Sequence, residues 1–441
     1  MGRLIAFFVV MLGVAGGAAA ETSLVTRVGV VPMTAPEVIA DQDVLIRDGV
    51  VVAIGPSGTL EAGDDVARID GAGGYLMPGL AEMHAHLGDY PGDATGRTLD
   101  LFVANGVTTA RSMLGDASHL ALREAAARGQ VLSPRIIASG PSFNGQTVRS
   151  AAAARARVTA QANAGYDFLK LHPGLTRPVF EALAARAGER GIPFAGHVSR
   201  DVGLELALAR GMATIDHLDG YLPALVDEPD PEKSRFFGLG LGSDVDFERI
   251  GALAGRTADA GVWNVPTQTL IENVAGPESV ERMLERDEYD YVSEAQLTDW
   301  VARVRSTREA IPAPTLQKTV DARRRLIVAL TRSGAGVLLG SDAPQILNVP
   351  GFSLHRELGL YVEAGLSPFE ALATGTRDVG VFLGEPATTG VIAVDARADL
   401  LLLNRNPLDD ITATRDIRAV AVAGRWLDRS ALDSLLARHR R

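Results

Sequence analysis

Short apolar runs recur along the chain, separated by longer stretches with helical periodicity. They are GLAEMHAH (79–86), VTTARSM (107–113), RIIASG (135–140), DFLKLH (167–172), PFAGHV (193–198), ATIDHL (213–218), VWNVP (262–266) and GVLLGSD (336–342). Runs of this length, rich in β-branched residues and bounded by turn residues, predict buried strands. Segments such as 179–190 and 202–210 carry helical patterns between them. Eight such units over roughly 300 residues predict an α/β fold, a distorted (β/α)8 TIM barrel spanning residues 76–384. Residues 270–316, rich in Glu, Arg and Asp, predict extra helices inserted over the barrel mouth. Ser367-Pro368-Phe369-Glu370 reads as a capping box with proline at the first helical position, and Gly365 as the end of the preceding helix. Both flanks carry strand patterns without long amphipathic helices. Residues 21–75 and 385–441 together predict a small β-sandwich domain built from the two chain ends.

The first twenty residues follow another pattern. Arg3, an apolar run over 4–14 and Ala18-Ala19-Ala20 predict a signal peptide covering 1–20, hence a periplasmic or secreted protein with no membrane attachment after cleavage. At 46% hydrophobic and 22% charged residues overall, the chain has ordinary globular composition, for which little disorder is expected. The net charge of −11 argues against nucleic acid as a partner, since such proteins need a basic footprint. With no cysteine, disulfides, thiolate metal sites and thiol nucleophiles are excluded. The expected partner is a small-molecule substrate. Self-association is left open.

The candidate chemistry sits at the carboxyl ends of the predicted strands, where barrel active sites lie. His84 and His86 are two apart on the first strand, so they share a face and can ligate one metal. The fourth strand offers Lys170, the fifth His197, the sixth His217 and the eighth Asp342. Each has a bland alternative, as a core histidine, an ion-paired lysine or a turn-capping aspartate. Six at successive strand ends favour a common site. Lys170 stands out further, because the chain holds three lysines against forty arginines. A buried lysine can lose its proton, whereas an arginine does not. The neutral amine can then take up carbon dioxide as a carbamate able to bridge two metals.

These residues lie in MPGLAEMHAHL (77–87), ANGVTTAR (104–111), DFLKLH, AGHV, TIDHLDGY (214–221), GSDAP (340–344) and ADLLLLNRNPL (398–408). The set resembles the amidohydrolase superfamily of metal-dependent hydrolases, nearest its imidazolonepropionase-like and prolidase-like group. The resemblance implies two divalent metal ions, zinc being the best match to His and carboxylate ligands. His84, His86 and Asp342 would hold one, His197 and His217 the other, with N6-carboxylated Lys170 bridging. It implies cleavage of an amide or peptide-like C–N bond, in a dipeptide or N-acyl amino acid, by a metal-bridging hydroxide, with Asp342 as proton shuttle. Tyr221, His172 and Gln268 are candidate substrate contacts, and Asn264 and Thr267 candidate wall residues.

The chain departs from the dipeptidase pattern after the third strand. Ser142-Phe143-Asn144-Gly145-Gln146-Thr147 stands where a histidine-bearing loop is usual. The alternatives are a mononuclear cyclic-amide hydrolase, a lactone or phosphotriester hydrolase, and a catalytically inactive binding scaffold. Superfamily deaminases place a glutamate where this chain has Arg200, which disfavours deamination. Glu82 is expected to plug the site from below the metals, and GLGLGS (238–243) to form a flexible lid. His355 is expected to be structural or to support the ligands, and His119 and His439 to lie at the surface.

Overall fold

The computed structural model describes residues 22–441 apart from residue 64; the expected signal peptide lies outside them. None of the described helices is long and apolar enough to cross a membrane.

The amino-terminal strands are β1 (Thr22–Val30), β2 (Ile39–Arg47), β3 (Val50–Pro56), β4 (Ala67–Asp70) and β5 (Tyr75–Pro78). The central segment carries β6 (Leu80–Ala85), β7 (Val107–Ser112), β8 (Arg135–Ile137), β9 (Leu169–Leu171), β10 (Phe194–Gly196), β11 (Thr214–Asp216) and β12 (Trp263–Val265). Three more strands close the chain, β13 (Leu400–Leu403), β14 (Ile417–Val422) and β15 (Arg425–Asp428).

Both chain ends share one sheet, ordered β15-β14-β13-β5-β1-β2-β3, with β4 beside β1. Why β13 reads as four consecutive leucines follows from its place in mid-sheet. Leu401 and Leu403 face the large central core, while Leu400 and Leu402 join a second cluster with Val25, Val44 and Leu76. Both faces of the strand are therefore dry, and alternation with polar residues is lost.

The central strands are parallel. They form two sheets, β6-β7-β8 and β9-β10-β11-β12, and the described residues of these strands are almost all buried. A parallel bridge between Ser139 and Phe168 links the β8 side to the β9 side. The expected eighth strand forms no continuous ladder, yet its backbone bonds to both neighbours. Leu338 N donates to Asn264 O (2.8 Å), and Met83 N donates to Leu339 O (2.9 Å). Its turn at Asp342 has φ 62°, which ends strand geometry there.

Helices alternate with these strands. Arg177–Arg190 and Gly203–Ala209 match the expected pair to within two residues, and the Ser367–Glu370 capping box is present with both reciprocal bonds. The inserted segment folds as Gln268–Ala275, Val280–Met283 and Glu294–Ala310, around a cluster holding Trp300, Val304 and Met283. The Gly-rich stretch at 238–243 is not a loose lid. Leu239 and Leu241 are fully buried, and a Cβ on Gly242 would lie 2.2 Å from the Thr315 carbonyl oxygen. Close backbone approach, rather than mobility, explains that glycine.

Candidate metal centre

His84, on β6, and His86, just beyond it, stand beside Asp342 of the eighth segment, which is tied to β6 by Asp342 N donating to His84 O (3.0 Å). His86 Nε2 lies 3.0 Å and His84 Nε2 3.5 Å from Asp342 Oδ1. One ligand atom from each of the three residues falls within 4.8 Å of the others.

His217 reaches the same cluster through a backbone turn. β11 ends at Asp216, and His217 and Leu218 are left-handed, at φ 60° and 51°. In a continuing strand Asp216 and His217 would face opposite sides. The turn instead brings the His217 ring within 4.5 Å of the His84 ring and 4.7 Å of the His197 ring, centroid to centroid. Non-glycine residues held left-handed cost about 1–3 kcal/mol each and concentrate at functional sites.

The tautomers of two histidines follow from their partners. Thr267 donates its hydroxyl proton to Pro266 O (2.7 Å), so its oxygen accepts from His217 Nδ1 (2.8 Å). Asp219 Oδ2 accepts from His197 Nδ1 (3.2 Å). Each ring is left with an unprotonated Nε2, and a fixed Nδ1 partner of this kind is what orients metal-ligating histidines.

Lys170 on β9 is fully buried, with Nζ 3.8 Å from Asp216 Oδ2 and no hydrogen bond. Burial pushes its ammonium pKa down, and burial pushes the Asp342 carboxyl up. Burial, reinforced by Lys170, lowers His86 and His197 to about 3, and it lowers His84 and His217 as well. Neutral imidazole is the form that ligates metal.

Unpaired atoms test whether these residues fit a metal. Both ring nitrogens of His84, His86 Nε2, Lys170 Nζ, Asp216 Oδ2 and Asp342 Oδ1 are buried without a hydrogen-bond partner. A buried polar group left unpaired costs about 1–3 kcal/mol. Six converging here describe a cradle for cations, and the His and carboxylate donor set suits divalent transition metals.

Several contributors were not singled out in the sequence. Asp216 Oδ2 lies 3.1 Å from His84 Nδ1, and its Oδ1 accepts from Thr214 Oγ1 (2.7 Å). Arg111 is fully buried between the Phe168 and Phe382 rings and donates to Met83 O and Thr214 Oγ1. Arg323 donates to His217 O, Pro266 O and Gln268 Oε1, clamping the ends of β11 and β12. A Thr-x-Asp alternation on β11 was the available signal for Asp216. Glu82 accepts from His84 N and Ser341 N, and burial raises its carboxyl pKa to about 8.

The candidate substrate contacts separate. His172 stays with the cluster, its ring stacked on His197 at 5.2 Å. Tyr221 and Gln268 are fully buried, and their polar ends are committed elsewhere. The Tyr221 hydroxyl donates to Asn264 Oδ1 (2.7 Å) and lies 3.1 Å from Thr257 Oγ1, which also takes Asn264 out of a pocket wall. Gln268 accepts from Arg323 Nε and donates to Glu272. Phe237, unforeseen, stacks on His217 at 4.7 Å and on His197 at 5.8 Å. His119 is buried rather than exposed, because Ser112 Oγ and Gly88 O occupy its two nitrogens. His439 is half-covered against Asp100. His355 is buried against Thr414 and Asn105.

Parallel strands bring histidines and an aspartate into one buried cluster whose donor set suits a divalent metal. The chain belongs to the Amidohydrolase family, which it matches over residues 75–427. It is 23% identical to the imidazolonepropionase of Symbiobacterium thermophilum over 393 residues, covering 81% of this chain and 82% of that protein. Shorter matches to other curated relatives span only 23% and 21% of those proteins' length. Among solved structures, a bottromycin amidohydrolase superposes with TM-score 0.73 at 25% identity, covering 95% of this chain and 90% of that one. A prolidase-type protein from Bifidobacterium longum gives TM-score 0.68 at 23% identity, covering 95% and 99%.

Proposed function

We propose that the protein hydrolyses an amide or peptide-like C–N bond in a small substrate such as a dipeptide or N-acyl amino acid. The observation carrying this reading is the convergence of unpaired buried atoms from His84, His86, Lys170 and Asp342 beside His197 and His217. His84, His86 and Asp342 would hold one divalent ion and His197 and His217 a second, with Lys170 as its carbamate between them. Zinc fits this donor set. Such ions, when bound, supply Lewis acidity and a nucleophile derived from water.

The chain's own residues do the rest. Asp219 and Thr267 hold the His197 and His217 rings through Nδ1, leaving Nε2 of each as the unprotonated nitrogen. Asp342 Oδ2 accepts from Gln345 Nε2 (3.1 Å), and the Asp342 carboxylate would take a proton and return it to the leaving amine. Phe237 stacks on both the His197 and His217 rings, and His172 on His197. The bridges at Ser139 and Val337 support a distorted (β/α)8 barrel over 76–384, carried by a β-sandwich domain from 21–75 and 385–441. The amino-terminal sequence supports a periplasmic or secreted location.

A one-metal reading, as in a cyclic-amide hydrolase, draws on the compact trio His84, His86 and Asp342. Metal-replete protein screened against N-acyl amino acids, dipeptides, cyclic amides, lactones and phosphotriesters separates these. Turnover of the first two supports the main reading, and turnover of cyclic amides alone supports the second. Hydrolysis confined to esters and phosphotriesters contradicts both.

A further inference from the structure

Away from the metal cluster, a cavity of about 420 Å³ opens between the helix Gln268–Ala275, the helix Phe352–Ala364 and the turn Ile411–Arg415. None of the proposed metal ligands lines it. In a chain of net charge −11, its wall carries Arg286, Arg324, Arg356 and Arg415 against Glu272, Glu278 and Glu363.

The three glutamates are already taken. Arg324 holds Glu272 (2.7 Å) and Glu363 (3.0 Å), and Arg286 holds Glu278. Arg356 pairs with Glu288 and donates to Ser353 Oγ and Leu347 O, yet its Nε is buried without a partner. Among the described residues Arg415 makes no ion pair, though its side chain reaches solvent. Burial and then the charges of Arg286 and Arg415 push the Arg356 pKa down, so the three guanidiniums repel one another across the cavity. Arginines cluster in this way where planar oxyanions are bound.

We propose that this cavity is a second binding site, taking a small molecule through its carboxylate or phosphate group. The oxyanion accepts from the Arg415 guanidinium, the cavity arginine that has no ion pair among the described residues, with Arg286 and Arg356 beside it in the wall. Arg356 and the cavity residue Asn273 both donate to Asn348 Oδ1, and Asn348 Nδ2 donates to Ser341 O, next to Asp342. Two side chains and the Ser341 carbonyl therefore separate the occupant from the catalytic carboxylate proposed above, but its binding does not depend on that role.

Calorimetric titration of the metal-replete protein with inorganic phosphate and, separately, with succinate tests the site, with chloride at matched ionic strength as control. Saturable binding of at least one anion is expected. Arg415→Gln should weaken it by about tenfold or more with metal content unchanged, and Arg415→Lys should restore part of it. Phosphate binding alone identifies a phosphate ligand, and succinate alone a carboxylate. The proposal is overturned if neither anion saturates, if chloride acts equally, or if Arg415→Gln binds as the parent does.

Discussion

Lys170 and Glu357 are both fully buried charged residues close to the strand ends, but their surroundings differ. Glu357 accepts from the backbone of Gln268 (2.7 Å) and Thr269 (2.5 Å), and nearby Arg323 has all three nitrogens engaged. Around Lys170, by contrast, Asp216, Asp342, His84 and His86 keep unpaired atoms. A satisfied buried cluster holds the fold. An unsatisfied one holds a free-energy cost that a bound cation relieves. Burial of charge therefore does not mark function in this molecule; burial without partners does.

The largest effect should come from Asp342→Asn. It keeps shape and removes the proton acceptor, so turnover should drop by about 10³-fold, within the range typical of general acid–base groups, while the thermal midpoint stays near the parent's. Steady-state assays and a melting curve check both halves. Near-parental turnover would remove Asp342 from the chemistry.

Glu357→Gln attacks the satisfied cluster. It replaces an acceptor of two N–H bonds with a group that carries N–H itself, so denaturant unfolding should show a loss of about 2 kcal/mol. Lys170→Met should cost the metal-stripped protein less than this, because the ammonium it removes makes no hydrogen bond and reaches Asp216 only at 3.8 Å. A drop comparable to that of Glu357→Gln would erase the distinction between the two clusters.

The smallest effect belongs to a partly exposed pair, Arg135 and Glu385, joined at 2.6 and 2.8 Å. The hydrogen bonds from Arg135 lower the Glu385 pKa from its ordinary 4.5 to about 2. A depressed carboxyl stabilises the fold above its unfolded value and loses that contribution as pH falls from 4.5 toward 2. With both side chains about a third exposed, it is worth no more than about 1 kcal/mol. Arg135→Ala should flatten the fall in stability across that window, as measured by denaturation at stepped pH.

The sequence shows some of this site directly and hides the rest for stated reasons. His84 and His86 were legible because a strand puts i and i+2 on one face. Lys170 was legible because it stands in an apolar strand of a chain that otherwise uses arginine almost throughout. Asp216 was hidden, since strand alternation sets it against His217, and only the left-handed turn at His217 reconciles the two. Tyr221 and Gln268 look like mouth residues by their position after strands. The chain folds them into the core, where Asn264 and Arg323 absorb their polar ends. The glycines at 238–243 signal a special backbone, but composition does not distinguish flexibility from tight packing. Strand patterns on both flanks predict a β-sandwich domain from the two chain ends, whereas the strand order of the sheet they share depends on contacts across most of the chain length.

Metal stoichiometry tests the central claim most directly. By elemental analysis, metal-replete parent protein should carry about two divalent ions per chain, and Lys170→Arg, which cannot supply the bridge, should carry fewer and lose activity. Absence of bound metal in the parent, or two ions with full activity in Lys170→Arg, would contradict the account.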